Sequence, residues 1–291
     1  MQVPAHVEYE RASSVEHALA LLARYAPGGR ILAGGHSLIP MMKLRLAQPE
    51  VLIDINAIGG LRYIQRVGDE LRIGALARHA DLLASPAAGE DFAILHDAER
   101  VIADPVVRNW GTIGGSLCQA DPSEDLSAAF AALKGSMIIH GRHGSREVSA
   151  RAFHTGPYET VVGPEELLTE VRLPIRPHSG SAYKKVARRA GDWPIGAAGV
   201  AVRLDGESIA DVGIGLTAVG AAHFVAAEAE EFLRGRVAVD EAFAEAGQIA
   251  AVHCRPASDQ RGPADYKRHL VAELTARMLR LATSRARGGA S

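Results

Sequence analysis

Residues 33–45 read AGGHSLIPMMKLR and follow the short apolar run Ile31-Leu32. Two glycines and a serine therefore separate a predicted strand from a predicted helical turn. Glycine has no Cβ, so the backbone at Gly34-Gly35 can take a positive φ and approach a ligand closely. Consecutive N–H groups in such a turn form a concavity for anions. The spacing is that of neither a Walker loop nor a Rossmann fingerprint, and a tight turn without a ligand explains it equally well.

A second glycine loop with the same features lies at Trp110–Leu117, WGTIGGSL, where paired glycines again precede a serine. The chain continues into Ala120–Leu126, ADPSEDL, which predicts a loop that closes onto a helix. Asp121, Ser123 or Asp125 can cap that helix, because short polar side chains accept hydrogen bonds from its first N–H groups. Two such loops can bracket one long phosphate-bearing ligand, and a dinucleotide has the required length.

The composition is that of an ordinary globular protein, with 291 residues, 47% hydrophobic and 23% charged, and a net charge of -2. This length allows one large domain or two ordinary ones. The charge balance gives no reason to expect nucleic acid or an anionic membrane as a partner. The N-terminus lacks a signal-peptide pattern, and no apolar run approaches membrane-spanning length. Cys118 and Cys254 are too few for an iron–sulfur cluster and favour a reduced, cytoplasmic protein.

Alternating helix and strand patterns divide the first part of the chain into two lobes. The first lobe covers about residues 1–57, and Ser13-Ser14 is expected to cap a helix over 15–25. The second lobe covers about 58–176 and begins with a β-hairpin around Gly68-Asp69. Both lobes together form the predicted N-terminal domain.

The remainder of the chain has a different pattern. Residues 174–181 are rich in Pro, Gly and Ser and are typical of a linker. Residues 180–285 contain strands first and helices last, near 222–233, 240–252 and 264–281. This order predicts an α+β domain with helices on one face of an antiparallel sheet. We expect residues 286–291 to be a disordered tail.

Few side chains are candidates for chemistry. Twelve histidines are present, but none has metal-ligand spacing on a helix; His36 lies in the first loop and can hydrogen-bond a cofactor. Asp54 ends a strand and is interpreted as structural. The segment Tyr183–Ile195, YKKVARRAGDWPI, is basic and then turns into a tryptophan. A solvated edge strand and hairpin explain this segment slightly better. The alternative is that the segment supplies a cation to an anionic ring system, which its tryptophan covers.

These segments together resemble one family, the FAD-binding medium subunits of molybdenum hydroxylases, which includes the flavoprotein subunits of aerobic carbon monoxide dehydrogenase and xanthine dehydrogenase. The resemblance extends from Val7 to the final helix. The chain is most similar to the carbon monoxide dehydrogenase branch of the family in residues 33–45, 102–105, 111–115 and 256–266. The resemblance implies an α+β fold. A two-lobed FAD-binding domain of the PCMH (vanillyl-alcohol-oxidase-like) type would cover 1–176, and a carbon monoxide dehydrogenase flavoprotein-like C-terminal domain would cover 180–285.

The resemblance also implies cofactor contacts. The FAD pyrophosphate would lie between the two glycine loops, with Asp125 near the cofactor. Lys184 would lie beside the flavin and favour its anionic reduced form, and Asp192 and Trp193 would approach the ring. The complete implied set is Ala33, Gly34, Gly35, His36, Ser37, Leu38, Thr112, Ile113, Gly114, Gly115, Ser116, Asp125, Lys184, Asp192 and Trp193.

Two positions depart from the family pattern. Ser116 stands where the family commonly has Asn, so one side-chain hydrogen bond is expected to be replaced. Ser127 stands where Pro is common, and we expect the start of the following helix to be looser. The chain shows no catalytic acid–base pair and no ligand pattern for a metal, molybdenum or a cluster, so we expect no catalytic or metal-binding residues in it.

The implied function is electron relay. A large partner subunit would oxidise the substrate at a molybdenum cofactor, and a small one would carry two [2Fe–2S] clusters. FAD in this chain would collect the electrons and pass them to quinone or another acceptor, with quinone favoured because no separate NAD fingerprint is visible. The expected assembly is a dimer of heterotrimers in the cytoplasm, associated with the inner face of the membrane through the complex.

The sequence leaves other functions open. The complex can instead act on a purine or another N-heterocycle, as in xanthine dehydrogenase, or on an aldehyde or an aryl thioester, because the substrate is chosen in the large subunit. A stand-alone flavin oxidase with the same fold is a second alternative. A scaffold that binds a nucleotide without redox use is a third.

Overall fold

The first lobe is built on a small parallel sheet. The computed structural model describes residues 3–289. Its first elements are β1 (Glu8–Arg11), α1 (Val15–Tyr25), β2 (Gly29–Leu32), α2 (Leu38–Lys43) and β3 (Val51–Asp54). The strands lie in the order β1-β3-β2, so the apolar β3 is central and buried. The α1 helix begins as predicted, because the Ser14 hydroxyl accepts a hydrogen bond from the His17 N–H at 3.1 Å.

The second lobe surrounds an antiparallel sheet with the order β4-β5-β10-β6-β7. Its elements are β4 (Ile64–Val67), β5 (Glu70–Gly74), α3 (His79–Ala84), α4 (Pro86–Asp91), α5 (Ala93–Glu99), α6 (Pro105–Trp110), α7 (Ile113–Gln119), α8 (Asp125–Ala132), β6 (Ser136–Gly141), β7 (Gly144–Ser149), α9 (Ala150–Phe153), β8 (His154–Gly156), β9 (Glu159–Thr160) and β10 (Leu167–Pro174). The predicted hairpin is β4–β5, which turns at Gly68 with φ +58°. The α8 helix is buried along its whole length.

The C-terminal part is a three-stranded antiparallel meander covered by helices. It contains β11 (Ser179–Val186), β12 (Gly196–Asp205), β13 (Ser208–Thr217), α10 (Ala227–Leu233), α11 (Asp240–His253) and α12 (Ala264–Ala286). The α12 helix packs on β11 and β12 and is itself covered by α11. The opposite face of the sheet lies on α5 and α8 of the second lobe. The predicted α+β fold, with an antiparallel sheet and helices on one face, is therefore confirmed.

Glycines allow the closest contact between these two parts. Gly213 and Gly215 of β13 lie against the backbone of α8, where a Cβ on either would overlap the carbonyl oxygen of Ala132 or Ala128. Only glycine lets two backbones approach so closely. The sheet of the C-terminal part therefore uses the buried α8 helix as its second core surface.

Three details of the sequence interpretation are corrected. The predicted linker at 174–181 shrinks to residues 175–178, because β10 runs to Pro174 and β11 begins at Ser179. The helix predicted over 222–233 is a 3-10 turn at 222–224 followed by α10.

The predicted tail is also shorter than expected. The α12 helix continues to Ala286, and Gly289 closes a turn through its N–H bond to the Ser284 carbonyl at 2.9 Å. Residues 290 and 291 lie outside the described residues. Within residues 3–289, no helix combines the length and the apolar character that crossing a membrane requires.

Candidate functional site

A cleft of about 1030 Å³ opens in the N-terminal part, and both glycine loops line it. The first loop enters from the β2–α2 connection and the second from the α6–α7 connection. The predicted site residues that line the cleft are Ala33, Gly34, Gly35, His36, Ser37, Leu38, Thr112, Gly114, Gly115 and Ser116. The structure thus brings together two loops that are far apart in the sequence.

The first loop offers free backbone donors to this cleft. Gly35 has φ +79°, which glycine adopts without strain. The Ile39 N–H donates to the Gly35 carbonyl at 3.1 Å and starts the α2 helix. In the described residues, the N–H groups of His36, Ser37 and Leu38 donate to no protein acceptor. Successive free N–H groups in a turn of this kind bind anionic oxygens.

The second loop is arranged differently. The Ile113 N–H donates to the Ala77 carbonyl and the Gly114 N–H to the Ala75 carbonyl, both at 2.9 Å. The Thr112 hydroxyl caps α7 by accepting from the Gly115 N–H at 3.1 Å. These donors hold the loop against the second lobe, and the Ile113 side chain is fully buried in the core. The second loop therefore contributes mainly backbone surface to the cleft, and fewer free N–H donors than the first loop.

A polar network fixes the two loops relative to each other. The Asn56 amide nitrogen donates to the Ala33 carbonyl at 2.7 Å, and its oxygen accepts from the Arg78 guanidinium at 2.8 Å. Arg78 also donates to the Trp110 carbonyl. Asp54 accepts from the Asn56 backbone N–H at 2.8 Å, which agrees with the structural role favoured for it. No local motif marks Asn56 or Arg78, so the sequence alone does not predict their role in this site.

Asp125 lies outside the cleft lining, in the contact between α8 and β11. Its carboxylate accepts from the Tyr183 hydroxyl at 2.5 Å and from the Lys185 ammonium at 2.9 Å. Burial raises the pKa of Asp125, although Lys185 and Tyr183 oppose that shift. The structure shows a buried ion pair here, and the implied contact between Asp125 and the cofactor stays a prediction.

The two lysines of β11 point to opposite faces. Lys185 is only 5% exposed in its side chain, whereas Lys184 is exposed. Successive strand residues alternate faces, so Lys184 is directed away from Tyr183 and Asp125. The structure does not place Lys184 in the cleft lining, and its implied place beside the flavin stays a prediction.

The hairpin that follows β11 is docked on the second lobe. Gly191 has φ +75°, and a Cβ there would lie 2.6 Å from the Ala103 carbonyl oxygen. Asp192 accepts from the Trp193 N–H at 2.9 Å, and Trp193 is 46% exposed. The loop therefore presents the indole to solvent beside residues 102–105, and neither Asp192 nor Trp193 lines the cleft.

The residue that caps α8 is none of the three predicted candidates, Asp121, Ser123 and Asp125. Glu124 caps the helix by accepting from the Leu126 N–H at 2.9 Å and the Ser127 N–H at 2.6 Å. The Ser116 hydroxyl also donates to Glu124, at 3.1 Å. Because proline has no N–H, serine at position 127 adds a hydrogen bond to the helix start. The expected loosening is not what the structure shows.

Two family models match consecutive parts of the chain. The FAD binding domain in molybdopterin dehydrogenase matches residues 5–176, and the CO dehydrogenase flavoprotein C-terminal domain matches residues 181–282. The fold and the cleft are therefore those of an FAD-binding flavoprotein.

Named relatives match nearly the whole chain. The carbon monoxide dehydrogenase medium chain of Hydrogenophaga pseudoflava is 38% identical over 97% of this chain and 99% of its own. The glyceraldehyde dehydrogenase medium chain of Sulfolobus acidocaldarius is 36% identical over 94% of this chain and 96% of its own. The solved structure of carbon monoxide dehydrogenase from Hydrogenophaga pseudoflava has a TM-score of 0.94 at 40% identity, covering 97% of this chain and 99% of that one. The chain belongs to the FAD-binding medium subunits of the molybdenum hydroxylases.

The cleft fits FAD, the cofactor of this family. Its volume of about 1030 Å³ admits a dinucleotide, and the first loop offers unengaged N–H groups for a pyrophosphate. Gly34 lets the two loops touch at a point where a Cβ would overlap the Trp110 carbonyl oxygen. The part of the chain that the structure describes contains no group of three or more His, Cys, Asp or Glu that could hold a metal ion. By its family the chain is a flavin-binding oxidoreductase subunit, and molybdenum and clusters belong to other subunits of such enzymes.

Proposed function

We propose that this chain is the electron-relay subunit of a complex like aerobic carbon monoxide dehydrogenase. A large subunit with the molybdenum cofactor would oxidise the substrate, and a small subunit with [2Fe–2S] clusters would pass the electrons to FAD in this chain. The observation that carries the proposal is the meeting of both glycine loops in one dinucleotide-sized cleft. It occurs in a chain that aligns with a carbon monoxide dehydrogenase medium chain along almost its full length.

The residues of this chain bind and orient the cofactor. The free N–H groups of the first loop would hold the pyrophosphate, and Arg78 and Asn56 keep that loop against Trp110. FAD supplies the redox chemistry, because flavins accept electrons singly and release them in pairs. Trp193, which is exposed on a docked hairpin, would cover the flavin ring.

Carbon monoxide is our proposed substrate for the assembled enzyme. A xanthine dehydrogenase FAD-binding subunit of Escherichia coli O157:H7 is 26% identical to this chain, against 38% for the carbon monoxide dehydrogenase medium chain. This difference favours carbon monoxide over a purine. An aldehyde is the second candidate, because the glyceraldehyde dehydrogenase medium chain reaches 36%.

Substrate-dependent bleaching of the flavin tests this proposal. The three subunits are co-purified and mixed without oxygen with carbon monoxide, glyceraldehyde or hypoxanthine, while the flavin absorbance is recorded. Bleaching by carbon monoxide supports the proposal, and bleaching by glyceraldehyde alone assigns an aldehyde instead. If the isolated chain is reduced by one of these substrates, it is a stand-alone oxidase and the relay proposal is wrong.

We further propose a dimer of heterotrimers that passes electrons to quinone at the inner face of the membrane. Both cysteines are free, which supports a reducing compartment. Light scattering of the purified complex measures its mass. Stopped-flow reoxidation of the reduced complex by a soluble quinone or by NAD identifies the acceptor, and faster reoxidation by NAD contradicts the quinone assignment.

A further inference from the structure

His79 is a buried histidine of the cleft that neither the sequence motifs nor the network around Arg78 accounts for. It is the first residue of α3, and its N–H donates to the Gly111 carbonyl at 3.2 Å. The residue is 4% exposed and belongs to the cleft lining. Its imidazole therefore lies directly beneath Gly111 of the second glycine loop.

Glu99 fixes the orientation of this ring. The His79 Nδ1 lies 2.9 Å and 3.1 Å from the two carboxylate oxygens of Glu99, which is fully buried on α5. Burial lowers the pKa of His79, but the charge and hydrogen bond of Glu99 outweigh it and raise that pKa overall. Burial also raises the pKa of Glu99. Both shifts have the same consequence, because each makes the pair retain its shared proton to higher pH.

The second ring nitrogen faces the glycine loop. A Cβ on Gly111 would lie 2.9 Å from the His79 Cδ2 and 3.4 Å from its Nε2. Across residues 3–289, the Nε2 makes no hydrogen bond to another protein atom. Because His79 belongs to the cleft lining, this edge of the ring is available to a ligand in the cleft.

Most backbone donors of the second loop are engaged within the protein. The N–H groups of Ile113 and Gly114 are already engaged with the Ala77 and Ala75 carbonyls. The neighbouring Arg78 is engaged with the Asn56 amide and the Trp110 carbonyl. An anion held between the loops would therefore meet free N–H groups on the first side and the His79 ring on the second.

We infer that the His79 Nε2–H donates a hydrogen bond to an anionic oxygen of the FAD pyrophosphate, and that Glu99 is its positioning residue. The carboxylate holds the ring at Nδ1 and balances its charge, as carboxylates do for histidine ligands of metals. The pyrophosphate would thus be held by backbone donors from the first loop and by a buried imidazolium from beneath the second.

Binding of FAD and of ADP to the full chain stripped of flavin tests this inference. ADP carries the adenosine and the pyrophosphate of FAD without its flavin, so a loss of affinity that FAD and ADP share does not come from the flavin, and the ³¹P signals report on the phosphates themselves. The variants are His79→Phe, His79→Gln, which keeps an N–H donor, and Glu99→Gln. His253→Gln is the control, because it also breaks a histidine–glutamate pair, 3.2 Å from Glu228 on the exposed end of α11.

We expect His79→Phe to weaken FAD and ADP by a similar factor, about ten- to a hundredfold, as for a charge-assisted hydrogen bond. His79→Gln and Glu99→Gln should lose less, and His253→Gln nothing. The ³¹P signals of bound FAD should move in His79→Gln, while the flavin absorption band stays unchanged.

Two results would overturn the inference. Unchanged FAD and ADP affinities in the His79 variants would show that the ring makes no contact with the cofactor. A loss for FAD with ADP unaffected would place the ring at the flavin instead. If His79→Phe does not fold, His79→Gln and its ³¹P signals still decide between these outcomes.

Discussion

Gly34 and Trp110 are in direct backbone contact, so that a Cβ on Gly34 would overlap the Trp110 carbonyl oxygen and lie 2.9 Å from the Gly111 Cα. The two glycine loops therefore form one continuous surface. The same carbonyl accepts a hydrogen bond from Arg78, which also holds Asn56 and through it the first loop. Backbone contact and side-chain network thus fix one geometry for the cofactor site.

Gly34→Ala should abolish stable FAD binding, because the added methyl group forces the loops apart. Overpacking of this kind costs about 1–3 kcal/mol, so the variant should fold and be colourless. The flavin absorbance of the purified chain measures the result. Gly60→Ala is the matched control, since a Cβ there meets nothing within 4 Å; a yellow Gly34→Ala protein would contradict the prediction.

Lys184 and Lys185 are expected to have different roles, Lys185 in stability and Lys184 beside the flavin, which the sequence alone did not distinguish. Lys185→Met leaves the Asp125 carboxylate buried without its cation, so we expect a loss of about 3 kcal/mol in the free energy of unfolding. Lys184 is exposed, and Lys184→Met should hardly change stability. If the implied position beside the flavin is right, Lys184→Met lowers the flavin reduction potential, because a cation favours the anionic reduced ring. Denaturant titration and a redox titration measure the two effects.

The loss in Lys185→Met should depend on pH. The pKa of Asp125 is raised in the folded chain by burial, and removing the ammonium raises it further. A group with a raised folded pKa stabilises the fold at low pH and loses that contribution as pH rises through the folded pKa. The stability difference from the unaltered chain should therefore be small near pH about 4, the ordinary value for a carboxyl, and grow towards neutral pH. A difference independent of pH would show that Asp125 is not the cause.

Local sequence patterns predicted the elements and the two loops well, because glycine pairs, caps and apolar periodicity act over a few residues. Ser14 at the start of α1 and Gly68 in the β4–β5 turn are examples. Contacts between distant segments left no such mark. Glu124 caps α8 although the shorter Asp121 and Ser123 are typical caps, since only Glu124 has the length and position to reach both N–H groups.

The same limit applies to the cleft. Arg78 and Asn56 join its two loops, and His79 with Glu99 lies beneath one of them, yet each is an ordinary polar residue in its own segment. These residues become parts of one site only when the packing of the two lobes brings α3, α5 and the strand ends together. The alternation that separates Lys184 from Lys185 is local, but which face is buried depends on the second lobe, and no pattern within β11 decides it.

Arg151 and Glu230 should contribute strongly to the attachment of the C-terminal part. The guanidinium donates to both carboxylate oxygens, at 2.8 and 2.7 Å, and Glu230 also accepts from the Ile214 N–H at 2.7 Å. Arg151→Met leaves a carboxylate that is 3% exposed without a cation, so we expect a loss of about 3 kcal/mol. Arg234→Met, in an exposed pair with Glu231, should cost under about 0.5 kcal/mol. Equal losses in the two variants would contradict this prediction.

Gly215→Ala should separate the unfolding of the two parts of the chain. Its methyl group would overlap the Ala128 carbonyl oxygen and push β13 away from α8, while neither core is changed in composition. Calorimetry should show one transition for the unaltered chain and two for Gly215→Ala, because the shared contact that couples the two cores is lost. Gly89→Ala is the control, since its Cβ would meet nothing within 4 Å. A single, lower transition in Gly215→Ala would mean that Arg151 and Glu230, with Asp125 and Lys185, couple the parts without the glycine contact.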